Sequence, residues 1–187
     1  MIRVVLTGSE STGKTTLASA LAAHYGVEFV PEFVRRYAAE KNAPLDFTDH
    51  GPIARGQIAL EDEYSRRASA ARRATGDGRR ASLLIQDTDL LSTVVYCGHY
   101  FGRCPEWIAE AARDRRPELY LLCEIDLPWI HDGVRDRGHM RDEMQQLFRD
   151  AVIASGVPYA NITGAGDDRT QCAIDVIDRL LLESDPA

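Results

Sequence analysis

Lysine is nearly missing from this chain. Of its 22 basic residues only Lys14 and Lys41 are lysines; the rest are arginines. Acidic residues outnumber basic ones, 29 to 22, for a formal net charge of −7. That balance gives no general attraction to nucleic acid or to an anionic membrane, so any phosphate-binding site has to be local. No apolar run approaches the ~18–20 residues that span a bilayer. The apolar stretch from Met1 to Leu6 is too short for a signal peptide, and the expected address is the cytoplasm. The four cysteines, Cys97, Cys104, Cys123 and Cys172, form no C-x-x-C pair. Cys97-x-His99 followed by Cys104 matches no common zinc spacing, which favours small packed side chains over metal ligands. There is no internal repeat, no low-complexity block and no dividing linker. At 44% hydrophobic residues the composition supplies a core and excludes disorder. The length of 187 fits one domain of ~100–200 residues, spanning 1–187.

What is present alternates between strand and helix. Val4-Val5-Leu6 reads as a buried strand ending at Thr7-Gly8. Leu17, Ala20, Leu21 and Tyr25 recur at helical spacing over 14–25, and Gly26 suits the left-handed closing position. A second strand covers 27–30, stopped by Pro31, and a helix covers 32–41. A longer helix runs from Pro52 towards Ala74. The third strand, 82–87, is apolar along most of its length, as in a sheet covered on both faces. Helices at 89–97 and 105–113, a strand at 119–125, a helix at 142–155, a strand at 158–162 and a helix at 168–182 complete the series. Parallel neighbours need crossover connections, so this order predicts an α/β fold with helices on both sides of a parallel sheet.

The sharpest signal is Gly8-Ser9-Glu10-Ser11-Thr12-Gly13-Lys14-Thr15, which fills every fixed position of G-x-x-x-x-G-K-[ST]. It follows a buried strand and opens a helix, as the mechanism requires. The glycines let the backbone wrap an anion with successive N–H groups pointing inward. The helix start adds unpaired donors and the positive end of its dipole. Lys14 reaches the β/γ-phosphates of a nucleotide, and the Thr15 hydroxyl suits Mg²⁺. No N-K-x-D is present to read guanine, and the third strand lacks the adjacent D-E of a mechanical ATPase.

That strand ends Asp87-Thr88-Asp89 instead, a pattern suited to small-molecule kinases. One carboxylate accepts a hydrogen bond from the acceptor hydroxyl and one serves Mg²⁺. Asp87 is the expected base, and Asp89 either serves the metal's water shell and acceptor or caps a helix; the two roles are exchangeable at this stage. The Arg-rich segment within 128–142 reads as a lid that delivers Arg135 and Arg141 to the transferring phosphate. Glu32 and Arg35 fall at the carboxyl edge of the sheet, where they either hold acceptor hydroxyls or form a helical ion pair. Trp129 either stacks on an aromatic acceptor or covers the core.

These residues resemble the ribosylnicotinamide kinase domain of NadR-type proteins, a P-loop small-molecule kinase family. The resemblance rests on G-x-E-S-x-G-K-[ST]-T extending to Thr16, and on Glu32-Phe33-Val34-Arg35 with Gln57 in the next long helix. It continues through Asp87-Thr88-Asp89 with Thr93, then Trp129, Asp132, Gly133 and Arg135 in W-x-x-D-G-x-R, and Val157-Pro158-Tyr159. It implies the P-loop kinase topology, a five-stranded parallel sheet in the order 2-3-1-4-5. It also implies transfer of the ATP γ-phosphate, with Mg²⁺, to the 5′-hydroxyl of nicotinamide riboside. The chain resembles the kinase part of such proteins standing alone. Pro31 occupies a position where some members carry a stacking aromatic, leaving Phe33, Tyr64 or Trp129 for that contact. Other acceptors, such as a deoxynucleoside, and a nucleotide-dependent regulatory module remain the alternative readings.

Overall fold

A computed structural model describes residues 1–75, 83–128 and 140–184. Five strands pair in parallel: β1 (Ile2–Thr7), β2 (Phe29–Val30), β3 (Leu83–Asp87), β4 (Leu119–Cys123) and β5 (Tyr159–Ile162). Their order is β2-β3-β1-β4-β5, as the family resemblance implies. Around them lie α1 (Lys14–Tyr25), α2 (Phe33–Lys41), α3 (His50–Thr75), α4 (Leu90–Phe101), α5 (Glu106–Asp114), α6 (Arg141–Ser155) and α7 (Gly166–Glu183).

Strand side chains alternate between faces, so each strand feeds two cores. Val4, Leu6, Ile85, Leu119 and Leu121 pack on one side against Leu17 and Leu21 of α1 and Ala173 and Ile177 of α7. Val5 and Tyr120 point the other way, onto Val152 of α6. Leu122 joins Val95 of α4 and Met144 and Phe148 of α6 on that same side. Burial on both faces explains why the central strands read as apolar runs rather than as an alternation.

Several boundaries differ by a few residues from those the sequence suggests, and three of them have a clear local reason. β2 begins at Phe29 because Gly26 closes α1 in the left-handed region and the Val27 amide still donates to Ala22 O. α4 runs on through Gly98 to Phe101, and a left-handed Gly102 ends it. β4 stops at Cys123, since the carbonyl of Glu124 is taken by a side chain from α7. A short 3₁₀ turn, Phe47–Asp49, precedes α3 and is held by a capping box between Asp46 and Asp49. Among the described residues no helix is long and apolar enough to cross a membrane.

α1 leaves β1 towards one face of the sheet and α4 leaves the adjacent β3 towards the other. The two departures open a crevice at the carboxyl ends of β1 and β3, the place where ligands bind in open α/β sheets. Phe148, with no solvent exposure, plugs the α6 side of the sheet. Phe148→Ala is expected to lower the unfolding free energy by about 3–5 kcal/mol. Urea denaturation measures this, and a loss below about 1 kcal/mol would mean that the site collapses around the smaller side chain.

Candidate active site

β1 delivers the chain to the crevice at Thr7, and Gly8 turns it with φ +126°. A Cβ at Gly8 would sit 2.7 Å from the backbone oxygen of Cys123, so no other residue fits without shifting β4. Ser11 (φ 55°) and Gly13 (φ 75°) also occupy the left-handed region, which curls the loop before α1 begins at Lys14. The Lys14 ammonium is buried and donates to the carbonyls of Gly8 (2.9 Å) and Ser9 (2.6 Å). Ser9, Glu10 and Thr12 are buried in the same curl, whereas Thr15 and Thr16 are exposed at its mouth.

Among the described residues, three side chains from α6 and α7 hold the loop's backbone. Gln145 of α6 accepts from the Ser9 amide (2.9 Å) and donates to Cys123 O (3.1 Å). Arg141, the first residue of α6, donates to Ser11 O (2.9 Å) and Leu127 O (2.7 Å). Arg169 of α7 donates to Thr12 O and Glu124 O, each at 3.0 Å, and pairs with Asp126 at 2.7 Å.

Across the mouth, the Thr15 hydroxyl donates to Asp87 Oδ2 at 2.6 Å. Burial raises the Asp87 pKa above the ordinary carboxylate range, and the nearby charge of Glu32 raises it further. The Thr15 hydroxyl, Lys14 and Arg35 act in the opposite direction. Glu32 is buried at the start of α2 and accepts from Arg35 Nε at 2.7 Å, while the arginine is half exposed. Gln57 of α3 accepts from the Phe33 amide at 3.0 Å, tying the corner that carries Glu32 to the helix beneath it. Asp87, Glu32, Arg35, Lys14 and Thr15 thus converge on one cleft.

Asp89 does not join them. Its Oδ1 accepts from the Leu91 amide (3.0 Å) and caps α4, and its Oδ2 accepts from the Tyr120 hydroxyl (2.7 Å) inside the fold. Acids two apart on a regular strand share a face. Here Thr88 adopts φ 78°, which breaks the alternation and sends the second carboxylate inward. Asp89 is therefore a buried helix cap, one of the two roles the sequence left open for it, and its alternative place beside an acceptor is corrected. Arg141 also departs from expectation, its guanidinium being engaged on the backbone of the phosphate loop rather than carried by a lid. Trp129, Asp132 and Arg135 lie outside the described residues.

Arg169 and Gln145 escaped the sequence reading, because in a helical pattern each looks like a solvated polar residue. One signal was available. Arg169 and Arg141 are cations in the first turns of helices, where the dipole disfavours positive charge, so each implied a specific partner.

The strand–loop–helix cradle and its facing carboxylate define a P-loop nucleotide-binding α/β domain. Residues 3–169 match the protein family described as AAA domain, and the chain belongs to that family. It is 25% identical over 165 residues to the trifunctional NAD biosynthesis/regulator protein NadR of Escherichia coli K12. That match covers 85% of this chain and 37% of the relative. The NadR of Salmonella typhimurium LT2 is 25% identical over 171 residues, 88% of this chain and 39% of the relative. The chain therefore spans less than half the length of these relatives. A NadR crystal structure in complex with NR superposes with a TM-score of 0.69 at 22% identity, over 95% of this chain and 49% of that one. Thymidylate kinase from Ehrlichia chaffeensis has the same fold, with a TM-score of 0.54 at 17% identity over 96% and 98% of the two chains.

Burial pushes the Asp89 pKa up to about 7; the Tyr120 hydroxyl opposes this, and the charge of Glu61 adds to it. The folded state then holds a proton that the unfolded chain releases near pH 4, so stability falls as pH rises from about 4 to about 7. Asp89→Asn keeps a capping oxygen and removes the titration. It is expected to flatten the pH dependence of urea unfolding in that window, by up to about 1.4 kcal/mol per pH unit. An unchanged slope would show that Asp89 is ionised throughout.

Proposed function

We propose that this chain is an ATP-dependent small-molecule kinase that phosphorylates a hydroxyl of a nucleoside-like acceptor, with the 5′-hydroxyl of nicotinamide riboside as the leading candidate. The observation that carries this reading is the placement of Asp87. A pure nucleotide sensor needs no carboxylate poised across the cleft from the phosphate loop, with a second buried acid, Glu32, and its half-exposed partner Arg35 beside it. The NadR relatives support the choice of acceptor, since one such structure holds NR and another holds NAD and AMP-PNP.

The residues divide the work by position. Loop amides and Lys14 bind the triphosphate, with α1 adding its positive end. Thr15 and Asp87 present hard oxygen donors 2.6 Å apart, a set that fits Mg²⁺, an ion satisfied by one or two protein oxygens and its own waters. When bound, that ion neutralises charge on the phosphates. Asp87, through an oxygen not engaged by the ion, also accepts a hydrogen bond from the acceptor hydroxyl and takes its proton as the phosphoryl group transfers. Glu32 and Arg35, at the outer edge of the cleft, hold acceptor hydroxyls. Asp89 takes no part in the chemistry.

Incubation with Mg-ATP and a panel of nucleosides, nicotinamide riboside among them, tests the reading through acceptor-dependent ADP release. Release with nicotinamide riboside supports it, and release only with a deoxynucleoside transfers the assignment to that acceptor. No release with any acceptor would leave nucleotide-dependent binding as the function. Asp87→Asn is expected to lower kcat by about 10²–10⁴-fold with ATP affinity nearly kept. Glu32→Gln should instead raise the acceptor KM. The opposite pattern would make Glu32 the base.

A further inference from the structure

A planar trans peptide points its carbonyl and its N–H in opposite directions. Whatever holds a loop carbonyl from behind therefore fixes the aim of the next residue's amide in front. Arg141 holds the Ser11 carbonyl, which sets the N–H of Thr12; Arg169 holds the Thr12 carbonyl, which sets the N–H of Gly13. These are consecutive peptides in the middle of the phosphate loop. The two guanidiniums come from different helices, α6 and α7, and each is anchored a second time on the backbone after β4, at Leu127 and Glu124.

Arg169 reaches furthest. It is 3% exposed, and one terminal nitrogen spans Thr12 O and Glu124 O while the other spans Asp126 Oδ1 (2.7 Å) and Gly164 O (2.9 Å). Asp126 closes the circuit by accepting from the Gly164 amide at 2.6 Å. The 163–166 loop follows β5 at the same carboxyl edge of the sheet as the phosphate loop. One buried side chain thus fixes both the aim of the phosphate amides and their spacing from the neighbouring loop. A lysine cannot do this, since its single point of charge lacks the rigid fork.

We infer that Arg169, with Arg141 in support, is a positioning residue that preorganises the phosphate loop and couples it to the loop after β5. The inference rests on the nucleotide-binding part of the reading above and is independent of the acceptor.

Calorimetric titration of the full chain with Mg-ATP and with inorganic tripolyphosphate tests it, alongside thermal melting. Arg169→Lys is expected to weaken both ligands by about tenfold, the effect of one lost hydrogen bond, at a temperature where the variant remains folded. In acceptor-saturated turnover the ATP KM should rise while kcat changes little. Asp126→Asn, which frees the guanidinium on one side only, should shift both affinities in the same direction by less. Wild-type affinity in both variants would overturn the inference, as would a loss that merely tracks the unfolded fraction. Failure of the wild type to bind ATP would overturn the nucleotide reading itself.

Discussion

An acidic chain that binds a polyanion cannot rely on its overall field; it must aim neutral dipoles at one point. Here that constraint falls on a stretch of eight residues, and much of the domain is arranged to satisfy it. β1 carries the loop to the sheet edge and α1 continues from it. Gly8 lets it pass within contact of β4, and α6 and α7 each send a side chain behind it. Net charge is irrelevant at this range. A local positive potential is assembled from amides, one lysine and two guanidiniums in a chain whose net charge is negative.

The carboxylates show the complementary problem. Asp87 and Asp89 are two residues apart in sequence and inhabit different environments. Asp87 meets the Thr15 hydroxyl at the mouth of the cleft, and Asp89 lies in the interior with Tyr120 and α4. The switch between them is Thr88, a β-branched residue at φ 78° whose conformation costs on the order of 1–3 kcal/mol. Its amide is held by Leu6 O at 3.1 Å, so β1 both presents the phosphate loop and fixes the twist that separates the two acids. Strain at this point is offset by hydrogen bonds in the surrounding sheet.

Features with fixed local spacing were legible from the chain alone. The phosphate loop announced itself because its chemistry demands glycine, lysine and hydroxyl at set intervals beside a strand and a helix. The central strands were readable because a sheet covered on both faces leaves long apolar runs, and the family resemblance supplied their order. Which of its two open roles Asp89 takes was not legible, since a single backbone dihedral, that of Thr88, decided for the cap. Arg141, Gln145 and Arg169 were hidden or misplaced for a different reason. Their partners are backbone carbonyls and amides far along the chain, and a carbonyl has no residue type to recognise.

The buried ammonium of Lys14 carries one further consequence. Already stripped of water, it rests on the carbonyls of its own loop. An arriving phosphate therefore meets a cation whose dehydration has been completed during folding. The ammonium exchanges neutral acceptors for charged ones, a trade that roughly doubles the strength of each hydrogen bond.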